Sequence, residues 1–556
     1  MLMRKITRQI SLILFTLLLF TGCNQSLPQS PLASQTDSLP ATLPSQAAST
    51  PPQDAPATSP SKSVPTHTVW LDPTLPQFAV DSLALPTGWQ IADQDAADLT
   101  ITYTDQNRIA QWILALAAPF PTLTEEVTPS SLLAAWQGHP DADFTDRGLL
   151  MSQPVFDALT QSWGEKEGST VQVLPEEDLL DTAWETGAFA ILPFDQLEPR
   201  WKVITIDGIS PIHPDFDADQ YSLTLPIGMQ GQESAIAQFF ADVQSGEKPL
   251  ITATNRDPSK LTVLAMTGVT ALARSTAYTM EQEGVTYPGE HVRQVLASAD
   301  ITHISNEVSF AENCPEPQPQ RTGMMFCSSP SYIELLEYIG TDIIELTGDH
   351  LADWGQKAIY LTLQMYEEEG WPVYGGGLTL QAGQQPVFME HNGNRLTFIG
   401  CNAKGADFAT AADTSPGAVP CDFDEMRARI EQLASDGYLP IVSIQHNEYD
   451  LYEAQEVQIR DFHRLADSGA IIVSGSQSHR PQGMEFYNGA FLHYGLGNLF
   501  FDQFSVGKPF RQGTIDRHVF YDNRYISTEL IPTYLVDYAQ PHILSGQERA
   551  DLLEIL

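Results

Sequence analysis

Polar side chains that could bind a cation or move a proton recur after short apolar runs from residue 261 onward. Carboxylate, amide and imidazole groups are the ones that hold metal ions and transfer protons in active sites. Oxygen or imidazole donors stand in Thr267-Gly268, Ser305-Asn306-Glu307, "TGDHLADWG", "QHNEYD", "SGSQSHRPQ" and "GLGNLFFDQ". One such donor could be coincidence, but six in order are difficult to attribute to packing alone. We therefore expect them to form one chemical site.

Each polar segment follows an apolar run that is typical of a buried strand. These runs are residues 261–266, 301–304, 343–346, 440–444, 471–473 and 490–494. Helical stretches separate most of them, at residues 292–297, 332–338 and 426–434, and "VQIRDFHRLADSG" ends in the glycine expected at a helix C-terminus. The pattern indicates repeated strand–helix–strand units, which place their sites at the carboxyl ends of the strands.

Three of these segments are the most specific: "TGDHLADWG", "SIQHNEYD" and "HYGLGNLFFDQ". Together they resemble the CapA family of capsule and poly-γ-glutamate biosynthesis proteins, over residues 260–504. The resemblance implies an α/β fold, a four-layer α/β/β/α sandwich like that of the calcineurin-like metallophosphatases. It also implies a role in the synthesis of a cell-envelope polymer.

The resemblance further implies which residues form the site. Glu307, His446 and His479 match acidic and histidine positions of the family, and Asp349 stands where the family has asparagine. These four residues would hold the metal. His350 would act as a general acid or stabilise charge, and Asp353 and Glu448 join it as catalytic candidates. Asn306, Gln477, Asn498 and Asp502 would line a secondary pocket.

Structural roles remain alternatives for several of these side chains. His350 would then form a helix-start hydrogen bond, and His446 would pair with Glu448 at a strand end. Asp353 would brace the segment around Trp354, and Asn498, which follows a glycine, would be a turn residue.

Two departures from the family pattern bear on the metal. Gly268-Val269 stands where the first strand normally ends in Gly-Asp, so one carboxylate is missing. Gln477 replaces an imidazole, and a neutral amide is a poor ligand for a transition metal. Asp349, in place of asparagine, adds an oxygen donor. We therefore expect one divalent ion of hard character, Mg²⁺, Mn²⁺ or Ca²⁺, or no ion.

Residues 67–244 show a different α/β pattern, in which strand-like runs at 67–71, 99–103 and 203–207 alternate with helical stretches such as 109–117 and 153–163. With "AWETGAFAILPFDQLEPRWKVITIDGISPI", they resemble substrate-binding proteins of the phosphate-binding type. The resemblance implies a smaller periplasmic-binding-protein-like domain with a small anionic ligand. Arg200 would contact that anion or form a salt bridge.

The N-terminal residues predict export. Three cations precede an apolar run at residues 10–20, which is short for a membrane span but suits a signal peptide. The run ends in Thr21-Gly22-Cys23, which resembles a lipobox and implies cleavage after residue 22 and lipid anchoring to the membrane through Cys23. An uncleaved anchor helix is the alternative. Residues 23–66, rich in Pro, Ser and Thr, predict a disordered tether.

Four further cysteines, Cys314, Cys327, Cys401 and Cys421, predict two disulfides between nearest neighbours. Each would stabilise the fold by about 3 kcal/mol on the chain-entropy model. The formal net charge of −42 disfavours nucleic acid as a partner. Residues 505–556 predict a hairpin around Asp522-Asn523 and a terminal helix, as an extension that packs on the second domain.

These observations leave three functions open. The chain is a metal-dependent hydrolase or transferase acting on a cell-envelope polymer or its phosphorylated precursor. Alternatively it is an inactive lipoprotein that binds and organises polymer, or its first domain captures a small ligand for delivery.

Overall fold

The computed structural model describes residues 67–145, 147–244, 251–319, 323–405 and 407–556. The predicted signal peptide, Cys23 and the tether lie outside these ranges. Within the described ranges, no helix combines the length and apolar character needed to cross a membrane.

The first part of the chain forms a mixed sheet. Its strand order is Trp89–Ile91, His67–Leu71, Leu99–Tyr103, Thr224–Gly231, Ala110–Pro119, Phe189–Pro193, Leu149–Met151 and Val171–Val173, and Trp201–Val203 pairs with Ala110–Pro119. Its helices are Gln77–Ser82, Pro129–Trp136, Gln153–Trp163, Leu179–Thr186 and Glu233–Gln244. The prediction of a smaller α/β unit before the sandwich is confirmed.

One predicted element of this unit is wrong. Residues 109–117 are not helical, because Ala110–Pro119 is an interior strand that pairs with Thr224–Gly231 and Phe189–Pro193. Nearly every residue of Ala110–Pro119 is buried, so its sequence is a continuous apolar run. Periodicity cannot separate such a strand from a buried helix.

The second part contains two packed sheets. The first has the order Val373–Tyr374, Ile343–Glu345, Ile301–Asn306, Leu261–Thr267, Gln512–Tyr521, Arg524–Val536 and Gln540–Ile543. Val269–Thr270 continues it, between Ile301–Asn306 and Asn498–Phe500. The second has the order Val387–His391, Asn394–Asn402, Leu439–Gln445, Ile472–Ser474, Ala490–His493 and Met484–Tyr487.

Apolar side chains join these layers. One core, which includes Met266, Phe398 and Ile441, lies between the two sheets. The outer face of the first sheet packs against Arg274–Glu283, Arg293–Ala297, Ile333–Tyr338 and Gln356–Glu369. The outer face of the second packs against Phe423–Ser435 and Glu456–Ala466. The expected α/β/β/α sandwich is confirmed.

The C-terminal hairpin is part of the sandwich. Gln512–Tyr521 and Arg524–Val536 pair around Asp522 and Asn523, whose φ angles of 52° and 57° are those of a tight hairpin turn. Gln512–Tyr521 also pairs along the whole of Leu261–Thr267. The hairpin therefore supplies two strands of the first sheet. Gly546–Leu553 follows as the terminal helix.

Both predicted disulfides are present. Cys314 pairs with Cys327 across a Cα–Cα distance of 5.7 Å, and Cys401 pairs with Cys421 across 4.9 Å.

Candidate metal centre

The candidate site lies where parallel strands end. Ile301–Asn306 leads directly to Glu307, and its parallel neighbour Ile343–Glu345 leads to Asp349 and His350. In the second sheet, Leu439–Gln445 leads to His446 and Glu448, and its parallel neighbour Ile472–Ser474 leads to His479. The carboxyl ends of parallel strands share one sheet edge, so these side chains can meet.

Gly348 allows two of the loops to touch. A Cβ at this position would lie 2.7 Å from Glu307 Cα and 2.8 Å from Glu307 O, closer than any real side chain tolerates. The missing side chain lets the loop after Ile343–Glu345 cross Glu307 directly, which brings Asp349 beside that carboxyl group.

Two groups of potential ligands share one residue. Glu307, Glu448 and His479 each offer an atom within 4.8 Å of the others, and so do Glu307, Asp349 and His350. Each group supplies two carboxylates and one imidazole. This oxygen-rich set suits Mg²⁺, Mn²⁺ or Ca²⁺ better than a thiolate-seeking metal.

Glu307 itself fits a cation. It is fully buried, and neither carboxylate oxygen has a hydrogen-bond partner among the described residues. Burial raises the pKa of Glu307 well above its usual value, and the neighbouring charges of Asp349 and Glu448 raise it further. A buried carboxylate of this kind must be protonated or neutralised by a positive charge. The residues present therefore fit a divalent metal.

Lys404 brings a cation of its own to this cluster. Its Nζ lies 3.0 Å from Asp349 Oδ2 and also contacts Glu448 Oε1. Burial alone would lower the pKa of Lys404, but Glu448 and Asp349 raise it, so the ammonium stays charged. Burial likewise opposes ionisation of Asp349, yet Lys404 is the main influence that lowers its pKa.

Sequence reasoning missed Lys404. The residue follows Asn394–Asn402, a strand that was not among the predicted runs. Asn394–Asn402 pairs in parallel with Leu439–Gln445, so both strands end at the same sheet edge. A lysine two residues after Asn402 was the sequence feature that could have indicated this role.

Asn498 orients His479. The Nδ1 of His479 lies 2.9 Å from Asn498 Oδ1, and because an amide oxygen only accepts, Nδ1 carries the hydrogen. The bare Nε2 faces Glu448 Oε1 at 3.7 Å. Burial lowers the pKa of His479, which favours this neutral form. Asn498 was expected to line a secondary pocket, and here it positions a candidate ligand.

Asp353 orients His350 in the same way. The Nδ1 of His350 lies 2.7 Å from Asp353 Oδ2, which also accepts the backbone N–H of Phe326 at 2.8 Å. The Nε2 of His350 is left available to a ligand or a proton. Asp353 therefore positions the imidazole of His350.

His446 lies outside both ligand groups. Its Nε2 is 3.2 Å from Asp461 Oδ2, and its Nδ1 accepts the backbone N–H of Asn447 at 2.9 Å. Its neighbour Glu448 pairs with Lys404 instead of His446. A metal-binding role for His446 stays a prediction from the sequence.

The remaining secondary-pocket candidates brace loops. Asn306 donates to Val308 O and to the hydroxyl of Tyr366, both at 2.8 Å. Gln477 donates to Ser305 Oγ at 2.6 Å, and its buried Oε1 has no partner among the described residues.

Asp502 and Arg200 are engaged with other groups. Asp502 accepts the backbone N–H of Phe504 at 3.0 Å and lies 3.7 Å from Arg274. Arg200, the candidate anion ligand of the first unit, is paired with Glu198 at 2.6 Å and lies 3.7 Å from Asp181.

Comparison with known proteins assigns the second part of the chain. Residues 263–503 match the model of the family described as bacterial capsule synthesis protein PGA_cap. This region belongs to the CapA family. Its ends coincide with the first strand of the sandwich and the segment after Asn498–Phe500, so the CapA region contains both ligand groups.

Two curated CapA relatives are similar to the chain. The PGA biosynthesis protein CapA of Bacillus subtilis (strain 168) is 23% identical over 228 residues, which are 40% of this chain and 59% of that protein. The capsule biosynthesis protein CapA of Bacillus anthracis is 23% identical over 257 residues, 45% of this chain and 62% of that protein. The chain thus spans less than two thirds of the length of these relatives.

A solved structure is similar to part of the chain, with lower sequence identity. The phosphate transport receptor of Vibrio cholerae is 14% identical, with a TM-score of 0.23, over 27% of this chain and 75% of that chain. The family assignment rests on the match at residues 263–503 and on the two CapA relatives.

Proposed function

We propose that this chain is an extracytoplasmic CapA protein, lipid-anchored through Cys23, that takes part in the synthesis of capsule, poly-γ-glutamate or another cell-envelope polymer. The family match and the names of the two relatives support the polymer. The two disulfides support an oxidising compartment, where such bonds persist. We further propose that the CapA region is a metal-dependent hydrolase or transferase acting on the polymer or its phosphorylated precursor.

The observation that carries the catalytic proposal is the fully buried carboxylate of Glu307, whose oxygens have no hydrogen-bond partner among the described residues. It belongs to both ligand groups, so an ion bound there would be held with Glu448 and His479 or with Asp349 and His350. When bound, a divalent cation would supply Lewis-acid polarisation of a phosphoryl or acyl oxygen.

The protein's own groups would control protons at this site. Asp353 holds Nδ1 of His350, which leaves Nε2 of His350 free to give or take a proton. Lys404 would place a fixed positive charge beside any anion that forms there, without needing a metal.

Hydrolysis of a chromogenic phosphoester in the presence of Mn²⁺ tests the catalytic proposal. We expect activity in the unaltered protein that is abolished by a chelator and by Glu307→Gln, which keeps the shape but removes the charge. Glu368→Gln, on the exposed face of Gln356–Glu369, is the matched control and should retain full activity. Equal rates in Glu307→Gln and the control would refute the proposal.

Lys404 favours a second candidate function. Its ammonium already contacts two of the three carboxyl groups, so the cluster can be partly neutralised without a metal. The chain would then bind and organise polymer without catalysis. Saturable binding of poly-γ-glutamate by chelator-treated protein, with no phosphoester hydrolysis after Mn²⁺ is restored, would favour this function.

A further inference from the structure

A cavity of about 210 Å³ lies beside the candidate metal centre. Its lining includes Glu448 and His479 of one ligand group, together with Arg480 and Phe510. A molecule in this cavity would therefore contact the candidate ligands directly. The volume suits one acidic group with its neighbouring atoms and not an extended stretch of polymer.

Arg480 has an unusual environment for a cation. It is 8% exposed, and its Nε is buried without a hydrogen-bond acceptor among the described residues. No carboxylate in the described part of the chain forms an ion pair with it, although Glu448 and Asp450 line the same cavity. Burying a guanidinium without a counter-charge is costly, so the position calls for an anion from outside the chain.

Aromatic rings hold the Arg480 guanidinium in place. The ring centroid of Tyr452 lies 4.2 Å from its Cζ, and that of Phe510 lies 5.5 Å away. Such packing uses the faces of the planar group, whereas its N–H donors point outward in the plane. A planar fork of N–H groups matches two oxygens of a carboxylate or a phosphate.

We propose that Arg480 is the anion-binding residue of this site and that it receives a carboxylate or phosphoryl oxygen pair of the substrate in the cavity beside Glu448 and His479. The proposal rests on the proposed function, because it names the substrate group that the CapA region would hold. It explains why a cation directly follows His479 in the chain: the same loop delivers a candidate metal ligand and the group that orients the substrate.

Calorimetric titration of the whole chain tests the proposal with two probes, inorganic phosphate and a short γ-glutamyl oligomer. Arg480→Met keeps the apolar stem and removes the charge, and we expect it to weaken binding of at least one probe by tenfold or more. Arg480→Lys should recover part of that loss, because it restores the charge but not the fork. The probe that loses affinity identifies the group as phosphoryl or carboxylate.

Arg395→Met is the matched control. Its guanidinium also packs on an aromatic ring, 3.9 Å from the centroid of Tyr438, but it does not line the cavity. We expect this variant to bind both probes like the unaltered protein. Unchanged affinity of Arg480→Met for both probes, or binding of neither probe by the unaltered protein, would overturn the proposal. If Arg480→Met fails to fold, an Arg480→Lys variant with unchanged affinity for both probes would overturn it equally.

The outcomes separate this inference from the proposed function. Metal-dependent hydrolysis combined with unchanged probe binding in Arg480→Met would refute the anion site alone. Probe binding that depends on Arg480, in a protein that takes up no metal, would refute the catalytic proposal alone.

Discussion

Charge balance among four side chains decides how the candidate centre behaves. Glu307, Asp349 and Glu448 contribute carboxyl groups, and Lys404 contacts two of them with its ammonium. A divalent ion and the Lys404 ammonium therefore compete for the same oxygens. Removing the ammonium should leave a more negative cluster with more free ligand atoms.

Lys404→Met should accordingly tighten Mn²⁺ binding by about tenfold or more, equivalent to about 1.4 kcal/mol. Titration of metal-free protein with Mn²⁺ measures this change. Lys357→Met, at an exposed position of Gln356–Glu369, controls for the loss of one positive charge from the molecule and should bind like the unaltered chain. Weaker Mn²⁺ binding in Lys404→Met would show that the lysine supports the metal instead of competing with it.

The raised pKa of Glu307 predicts a pH-dependent stability of the metal-free protein. The folded state holds the Glu307 proton more tightly than the unfolded state, whose pKa is near 4.5. This stabilising contribution is complete below that pH and is lost as the pH rises through the folded-state pKa. We expect the melting temperature of chelated protein to fall between about pH 5 and pH 8 by more than in Glu307→Gln. Parallel pH profiles for the two proteins would contradict this.

At the scale of elements, the strands that carry the candidate residues could be predicted because each is a buried apolar run followed by polar residues. Their bounds differ from the predicted ones by one or two residues, as for Ile472–Ser474 against 471–473. Ala110–Pro119 was misassigned because a strand covered on both faces shows no alternation. Asn394–Asn402 was not predicted, and Lys404 was missed with it.

Contacts between elements that are distant in sequence determine the roles of several site residues, and these contacts could not be predicted from the sequence. The pairing of His446 with Asp461 depends on the packing of Glu456–Ala466 against its sheet, which no local pattern records. The order of the parallel strands was enough to predict that Glu307, Asp349 and His350 lie close together. It could not predict that Asn498 is the hydrogen-bond partner of His479.

The crossing at Gly348 provides a test at this scale. A Cβ would meet the backbone of Glu307 at 2.7 Å, so Gly348→Ala should lower the free energy of unfolding by about 1–3 kcal/mol and displace Asp349. Urea denaturation measures the first effect and Mn²⁺ titration the second. At Gly323 an added Cβ would meet nothing within 4 Å, so Gly323→Ala is the control. Equal stability of the two variants would contradict the close crossing.

At the scale of the whole molecule, the sandwich extends beyond the family match. The match ends at residue 503, whereas Gln512–Tyr521 pairs with the entire strand Leu261–Thr267 from outside it. The same strand carries Val263, which belongs to the core of the first unit along with Val519 and Ile526. The C-terminal hairpin therefore connects both parts of the described chain through one sheet.

Truncation after residue 504 should consequently prevent folding. The loss of Gln512–Tyr521 would expose one full edge of Leu261–Thr267 and the apolar residues beneath it, a combination that favours aggregation. Soluble yield and circular dichroism of the truncated chain measure the outcome. A soluble chain with a cooperative unfolding transition and full metal content would show that the hairpin is dispensable.

The metal content of purified protein is the decisive measurement, because Glu307 must join donors from separate strand ends into one cation site. After equilibration with Mn²⁺ and removal of free metal, elemental analysis should find one ion per chain in the unaltered protein and in Glu368→Gln, and none in Glu307→Gln. An unaltered protein that retains no divalent ion, or a Glu307→Gln variant that retains the same amount, would show that Glu307 does not form this cation site.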